Sequence, residues 1–257
     1  MRKQNRGSVF PPILFLYVKK LMGFFTNTIK FIMPGLKYTL GLFFITILLS
    51  IPLGFVLSLI ETNGGTQTAV QTKKRKGQRL RRFGEAIPAS IVKGYVFIMR
   101  GTPLMLQLFF FYFGLPFIPG IGKYLVLPRF TAAWLTFVLN YAAYFCEIFR
   151  GGVLAVDKGQ NEAAKALGLS KVQTLFYVVI PQMFKIVLPS VANETITLVK
   201  DTALATSIGV IDIMHLTSSR VSTTGDITAF AVVAVVYLAM TFSLTKLFNY
   251  LEKKFGF

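Results

Sequence analysis

Five apolar runs, each about as long as a bilayer is thick, confine this chain to a narrow set of folds. They extend from about Lys37 to Ile60, within Pro88 to Pro119, from about Arg129 to Arg150, from about Ile186 to Val210 and from about Ile227 to Tyr250. A helix needs roughly 20 residues to cross the hydrocarbon core. Inside that core every backbone N–H and C=O must find a partner within the protein, which favours helices over open sheet. Only 15% of the 257 residues are charged and 54% are hydrophobic, whereas an average soluble domain is about 25% charged. The expected fold is an all-α integral membrane protein of about five transmembrane helices, with a two-helix loop on the cytoplasmic side.

The formal net charge of +18 would suggest nucleic acid in a soluble protein. In a membrane protein, Lys and Arg collect in cytoplasmic loops and set the topology. The loop after the first run holds Lys73, Lys74, Arg75, Lys76, Arg79, Arg81 and Arg82. Placed inside, it puts the loop with Lys158, Lys165 and Lys171 inside too, together with the carboxyl end at Lys253 and Lys254. The loops near Lys123 and Arg220 then fall outside and are poorer in positive charge. This reading gives a multi-pass plasma-membrane protein with the amino terminus outside and the carboxyl terminus cytoplasmic.

Two divisions follow, an amino-terminal interfacial segment over residues 1–36 and a membrane domain over 37–257. Within the latter lie a basic cytoplasmic loop at 61–82 and a second loop at 151–185. Residues 1–36 oppose the charge rule, since they hold Arg2, Lys3, Arg6, Lys19, Lys20 and Lys30. A helix lying in the interface reconciles them, with Leu14, Phe15, Met22 and Phe25 in lipid and the lysines snorkelling. The second run is open between two forms: one helix kinked at Pro103, or a cytoplasmic-side helix followed by a span that starts near Gly101. The single Cys146 rules out an internal disulfide framework and any Cys-based metal site. The single His215 has no acidic or Cys cluster beside it in the sequence, so no metal site is expected.

The loop at 151–185 contains NEAAKALGLSKVQTLFYVVIP. A first helix is expected over Lys158 to Leu167, where Ala163, Ala164 and Ala166 supply propensity. Gly168 stands where a left-handed residue ends a helix. Ser170 and Gln173 have the spacing of a capping box for a second helix, and Pro181 marks the next break. A DNA-binding helix-turn-helix has a similar outline, but its recognition helix needs polar side chains for base edges. The second helix here ends Leu-Phe-Tyr-Val-Val-Ile, so no nucleic-acid partner is expected.

This loop resembles the EAA motif of ATP-binding-cassette importer permeases. Glu162, Ala163 and Ala164 are followed by Gly168 six positions after the Glu and by Pro181 nineteen after it, with Val178 and Ile180 in place of the usual Ile and Leu. Arg100, Gly101, Thr102, Pro103 and Gln107 resemble the RGTPxxxQ gating or family motif of the polar amino-acid branch. Glu147 to Gly152, Pro181-Gln182, Leu188-Pro189 and Lys200-Asp201-Thr202 resemble further segments of that branch, with Ala203 where Ser is frequent. The resemblance covers about Lys37 to Tyr250. The first 36 residues and the insertion from Asn63 to Arg82 fit the pattern poorly.

The resemblance implies the permease subunit of an ATP-driven importer for polar amino acids. Glu162, Ala163, Ala164, Gly168 and Leu169 would dock on a separate cytoplasmic ATPase. The implied partners also include a second permease subunit, identical or paralogous, an extracytoplasmic amino-acid-binding protein and membrane lipid. The chain lacks the Gly-x-x-x-x-Gly-Lys-Ser/Thr phosphate loop, so it is expected to be no enzyme and to bind no cofactor, with ATP and Mg on the partner. Polar groups within spans face cavities or one another. Asn140, Glu147, Asn193 and Glu194 are the candidates for a substrate path; the alternative for Glu147 and Glu194 is pairing with Lys or Arg to hold helices together. The competing function classes are a secondary transporter working alone, whose internal repeat is not evident here, and a membrane-anchored regulator.

Overall fold

The computed structural model describes residues 12–69 and 78–255. Four of its helices are long and apolar enough to cross a membrane, or five if one sharply bent pair counts as a single span. No strand occurs among the described residues. The basic run Lys73–Lys76 and the residues Arg2, Lys3 and Arg6 lie outside the described residues.

The first helix, α1, is Pro12–Ala69. Its 58 residues rise through about 87 Å, well beyond the roughly 30 Å of hydrocarbon that a span must cross. Residues 12–36 are helical and continuous with the first span. Tertiary packing explains the continuity: Phe24, Phe25, Ile32 and Leu36 cluster with Ile213, Val232 and Val233 of the last two helices. Lys19 and Lys20 are exposed.

The centre of the bundle is α4, Arg129–Ala155. Its residues Phe137, Tyr141, Phe145 and Phe149 are nearly inaccessible. They recur every four positions, so they stack along one face, with successive ring centroids 6.3 Å apart. Helix α1 lies parallel to α4. Tyr38 meets Phe130 at one end, with ring centroids 5.8 Å apart, and Glu61 meets Arg150 at the other.

Glycine lets these two helices approach. A Cβ on Gly54 would lie 2.7 Å from Phe145 Cβ and 2.8 Å from the Ala142 carbonyl oxygen, contacts that backbone cannot yield to. Gly41, also on α1, would place its Cβ 3.5 Å from Phe130 Cζ, an ordinary contact. Gly54→Ala is expected to cost about 1–3 kcal/mol through overpacking, and Gly41→Ala within about 0.5 kcal/mol. Thermal unfolding of the purified variants in detergent checks this; equal midpoints for the two would refute the packing account.

The second run is broken. Helix α2, Gln78–Gly101, and helix α3, Leu104–Phe109, belong to arms that meet at 106° across Thr102 and Pro103. This is the two-segment form rather than a kinked continuous helix, because Pro103 has no N–H to continue α2. Past α3 the chain makes a π-turn at Phe110–Gly114 and a 3-10 turn at Leu115–Phe117 before reaching α4.

After α4 come the two short loop helices, α5 at Lys158–Ala166 and α6 at Lys171–Thr174. A π-turn, Leu175–Val179, then leads directly into α7, Ile180–Asp201. Pro181 was expected to break the chain. Instead it occupies the first turn of α7, where no intrahelical donor is required, so the loop helix and the fourth span form one path. A 3-10 stretch, Thr202–Ile208, and the 12-residue α8, Ile213–Thr224, precede the last span, α9, Ala229–Phe255.

Helix α8 is seated against α1. A Cβ on Gly35 would come within 2.6 Å of the Asp212 carbonyl carbon and oxygen and of Ile213 N. Thr39 Oγ1 accepts the Ile213 N–H at 3.3 Å. Asp212 caps α8 by accepting the His215 N–H at 2.7 Å and the Thr206 hydroxyl at 2.6 Å. Burial pushes its carboxyl above the usual carboxylate range, against the pull of these hydrogen bonds. His215 thus takes part in a helix cap, and no group of three potential metal ligands occurs among the described residues.

Candidate functional site: a docking loop and a cavity at a helix break

The loop between α4 and α7 has the local geometry that its residue types call for. Asp157 caps α5 by accepting the Gly159 N–H at 2.6 Å. Gly168 has φ +78°, and its N–H and that of Leu169 return to the carbonyls of Lys165 and Ala164, each at 3.0 Å. Ser170 and Gln173 form the reciprocal capping box. Glu162 and Ala163 face outward, Ala164 is buried and Leu169 is half-buried. Leu167, at the turn between α5 and α6, and Tyr177, in the π-turn after α6, are 80% and 76% exposed, which suits covering by another surface. Leu175 and Val179, by contrast, turn into the core.

The break between α2 and α3 is held by amide side chains. Ending α2 at Pro103 leaves carbonyls without helical donors, and lipid supplies none. Gln107 donates to the carbonyls of Met99 at 2.9 Å and Thr102 at 3.2 Å and to the Thr102 hydroxyl at 2.8 Å. Asn140 on α4 donates to the Met99 carbonyl and to Gln107 Oε1, both at 3.0 Å. The Arg-Gly-Thr-Pro-x-x-x-Gln spacing thereby has a physical reading: the Pro opens the helix, and the Gln four positions later satisfies what was opened.

Beside this break lies a cavity of about 460 Å³. Arg100, Gly101, Thr102 and Pro103 form one side of it. Asn140, Tyr141 and Tyr144 reach it from α4, and Glu194, Thr197 and Asp201 from α7. The Tyr141 hydroxyl donates to Asp201 Oδ2 at 2.8 Å. The Arg100 guanidinium sits 5.5 Å from the Tyr144 ring centroid. One cation and two carboxylates thus share a polar chamber on a break in the bundle.

Of the four substrate-path candidates, Asn140 and Glu194 line this chamber. Glu147 does not line it; it pairs with Arg150 and with Arg100. Asn193 is exposed and lies outside it. Tyr141, Tyr144, Thr197 and Asp201 were missed as cavity residues, although helical spacing carried a signal. Glu194, Thr197 and Asp201 fall three and seven positions apart, on one face of α7, and Asn140 and Tyr144 do so on α4.

A family model described as "Binding-protein-dependent transport system inner membrane component" matches residues 82–256. The octopine transport system permease protein OccM of Rhizobium meliloti is 35% identical over 214 residues, covering 81% of this chain and 85% of that protein. The arginine transport system permease protein ArtQ of Bacillus subtilis (strain 168) is 34% identical over 227 residues, covering 88% and 93%. A crystal structure of an amino acid ABC transporter with histidines superposes with a TM-score of 0.71 at 29% identity, covering 93% of this chain and 98% of that one. The inward-facing MetNI methionine ABC transporter shares the fold, with a TM-score of 0.68 at 18% identity over 90% and 99% of the two chains. The chain therefore belongs to the inner-membrane components of binding-protein-dependent transport systems, as a multi-pass permease subunit and not an enzyme.

Proposed function

We propose that this permease moves polar amino acids inward, driven by a separate ATP-binding-cassette ATPase. The observation that carries this reading is the chamber at the α2–α3 break, with Arg100 on one side and Glu194 and Asp201 on the other. A zwitterion needs a cation for its carboxylate and acceptors for its ammonium, and such charge-assisted hydrogen bonds are the strong ones. The carboxylate excess suits a cargo with a second positive group. Names of relatives support the class, since they include octopine and arginine permeases.

On this reading the loop end of the bundle is cytoplasmic. Glu162, Ala163, Gly168 and Leu169 present the surface that seats on the ATPase, with Ala164 buried beneath it, while ATP and Mg reside on that partner. A second permease subunit, identical or paralogous, completes the pathway within the lipid bilayer. An extracytoplasmic binding protein delivers the amino acid near α8.

Glu194→Gln is expected to weaken amino-acid binding by about tenfold or more, since a hydrogen bond to a charged group contributes roughly 1.5–3 kcal/mol. Equilibrium binding of labelled amino acids to the purified permease–ATPase complex, without the binding protein, measures it. Unchanged affinity would exclude the chamber as a cargo site. Transport that persists in vesicles without the ATPase would favour a secondary transporter.

A further inference from the structure

Arg100 takes part in two sets of contacts. It lines the chamber, and its Nη1 is also 3.5 Å from Glu147 Oε2. Glu147 in turn pairs closely with Arg150 through both carboxylate oxygens. Arg150 Nε lies 3.5 Å from Glu61 Oε1. The row Arg100, Glu147, Arg150, Glu61 alternates in sign and joins three helices, α2, α4 and α1. It starts at a wall of the chamber and ends at a buried carboxylate. Five residues beyond Arg150, α4 ends at Ala155 and the docking loop begins.

The two ends of this row are each a single contact of 3.5 Å and differ in exposure. The Arg100 side chain is 41% exposed. Its planar fork suits a carboxylate that offers two oxygens, which is the stronger arrangement. The Glu61 side chain is 9% exposed, so its contact with Arg150 is far less screened by water. Resting on the chamber reading given above, we propose that Glu147 is a positioning residue: it holds Arg100 while the chamber is empty and yields it to the carboxylate of the arriving cargo. Relieved of Arg100, Glu147 draws Arg150 more strongly, and the Arg150–Glu61 clasp between α4 and α1 loosens beside the loop. Cargo binding and the state of the clasp are then linked, and the linkage is reciprocal.

The test uses the permease–ATPase complex in lipid nanodiscs. The probes are labelled L-arginine, L-glutamine and L-histidine, and the carboxamide of whichever binds. Glu147→Gln removes the competitor for Arg100, so it should bind the amino acid about two- to fivefold more tightly, the range expected for a partly exposed ion pair. The carboxamide, which has no carboxylate for Arg100, should bind Glu147→Gln as it binds the original protein. Stimulation of ATPase activity by the amino acid, read with the binding protein added, should fall toward none. Glu61→Gln, at the far end of the row, should bind the amino acid at least as tightly yet also lose stimulation.

A merely structural clasp would weaken binding or leave it unchanged in Glu147→Gln, and either result overturns the proposal. Full stimulation in Glu61→Gln overturns it as well, even if Glu147→Gln fails to assemble. If none of the amino acids binds the original complex, the chamber reading itself is wrong and this proposal falls with it. If they bind and only the tightening is absent, the chamber reading stands and this proposal alone is lost.

Discussion

Gly168→Val is expected to reduce transport by about 5- to 30-fold while the chain still inserts and folds. Gly168 has φ +78°, in the region that costs an L-residue roughly 1–2 kcal/mol and is an outlier for a β-branched one. Space is not the obstacle, since a Cβ there would meet nothing within 4 Å. The cost falls on the turn itself, which sets how α5 and α6 present Leu167 and their neighbours. A 1–2 kcal/mol penalty changes the ratio of native to non-native turn by about 5- to 30-fold, and transport follows where that ratio limits docking. The substitutions should therefore rank by their tolerance of left-handed backbone, with Asn mildest, Ala intermediate and Val worst. Co-purification of the ATPase and uptake in vesicles should fall together in that order. Normal transport by the valine variant would show that the turn is not part of a docking surface.

Gln107→Leu is expected to destabilise the membrane domain by about 1–3 kcal/mol. Leucine is of similar size and apolar, so hydropathy alone predicts no harm. The structure predicts otherwise. Gln107 donates to two carbonyls left open where α2 ends and accepts from Asn140. A buried polar group that loses its partner costs about 1–3 kcal/mol; here the buried Asn140 amide loses its bond to Gln107, while the Thr102 carbonyl belongs to an exposed residue. The Met99 carbonyl retains its bond from Asn140. Asn140→Leu should cost less, because Gln107 still reaches both carbonyls. The double variant should fall short of the sum, as residues of one network do. Thermal unfolding of purified chains in detergent gives all three values, and equal midpoints for Gln107→Leu and the original protein would sink the account.

Much of the bundle was legible in the sequence because membrane spans are local. Twenty apolar residues must cross wherever they occur, and caps such as Ser170 with Gln173 depend on four consecutive residues. The features that escaped are those decided by distant partners. Pro34 does not end α1, and the residues before it stay helical because Phe24, Phe25 and Ile32 have α8 and α9 to pack against. Pro181 does not end the path into α7, since a π-turn places it at a first-turn position. Glu147 and Glu194 look alike in sequence, as acidic residues in apolar runs. The fold separates them: Arg150, three positions on in the same helix, and Arg100 from α2 flank the first, and the chamber lies in front of the second.

The two glycines that seat α1 give it leverage. Gly54 fixes the rod against α4, and Gly35 fixes it against the start of α8. They are 19 residues apart in one helix, about 28 Å along its axis. A tilt of about 5° with Gly54 as fulcrum sweeps the Gly35 seat by roughly 2.5 Å, nearly half a helical turn. Small rocking where α1 meets the bundle core would thereby be magnified at the seat of α8.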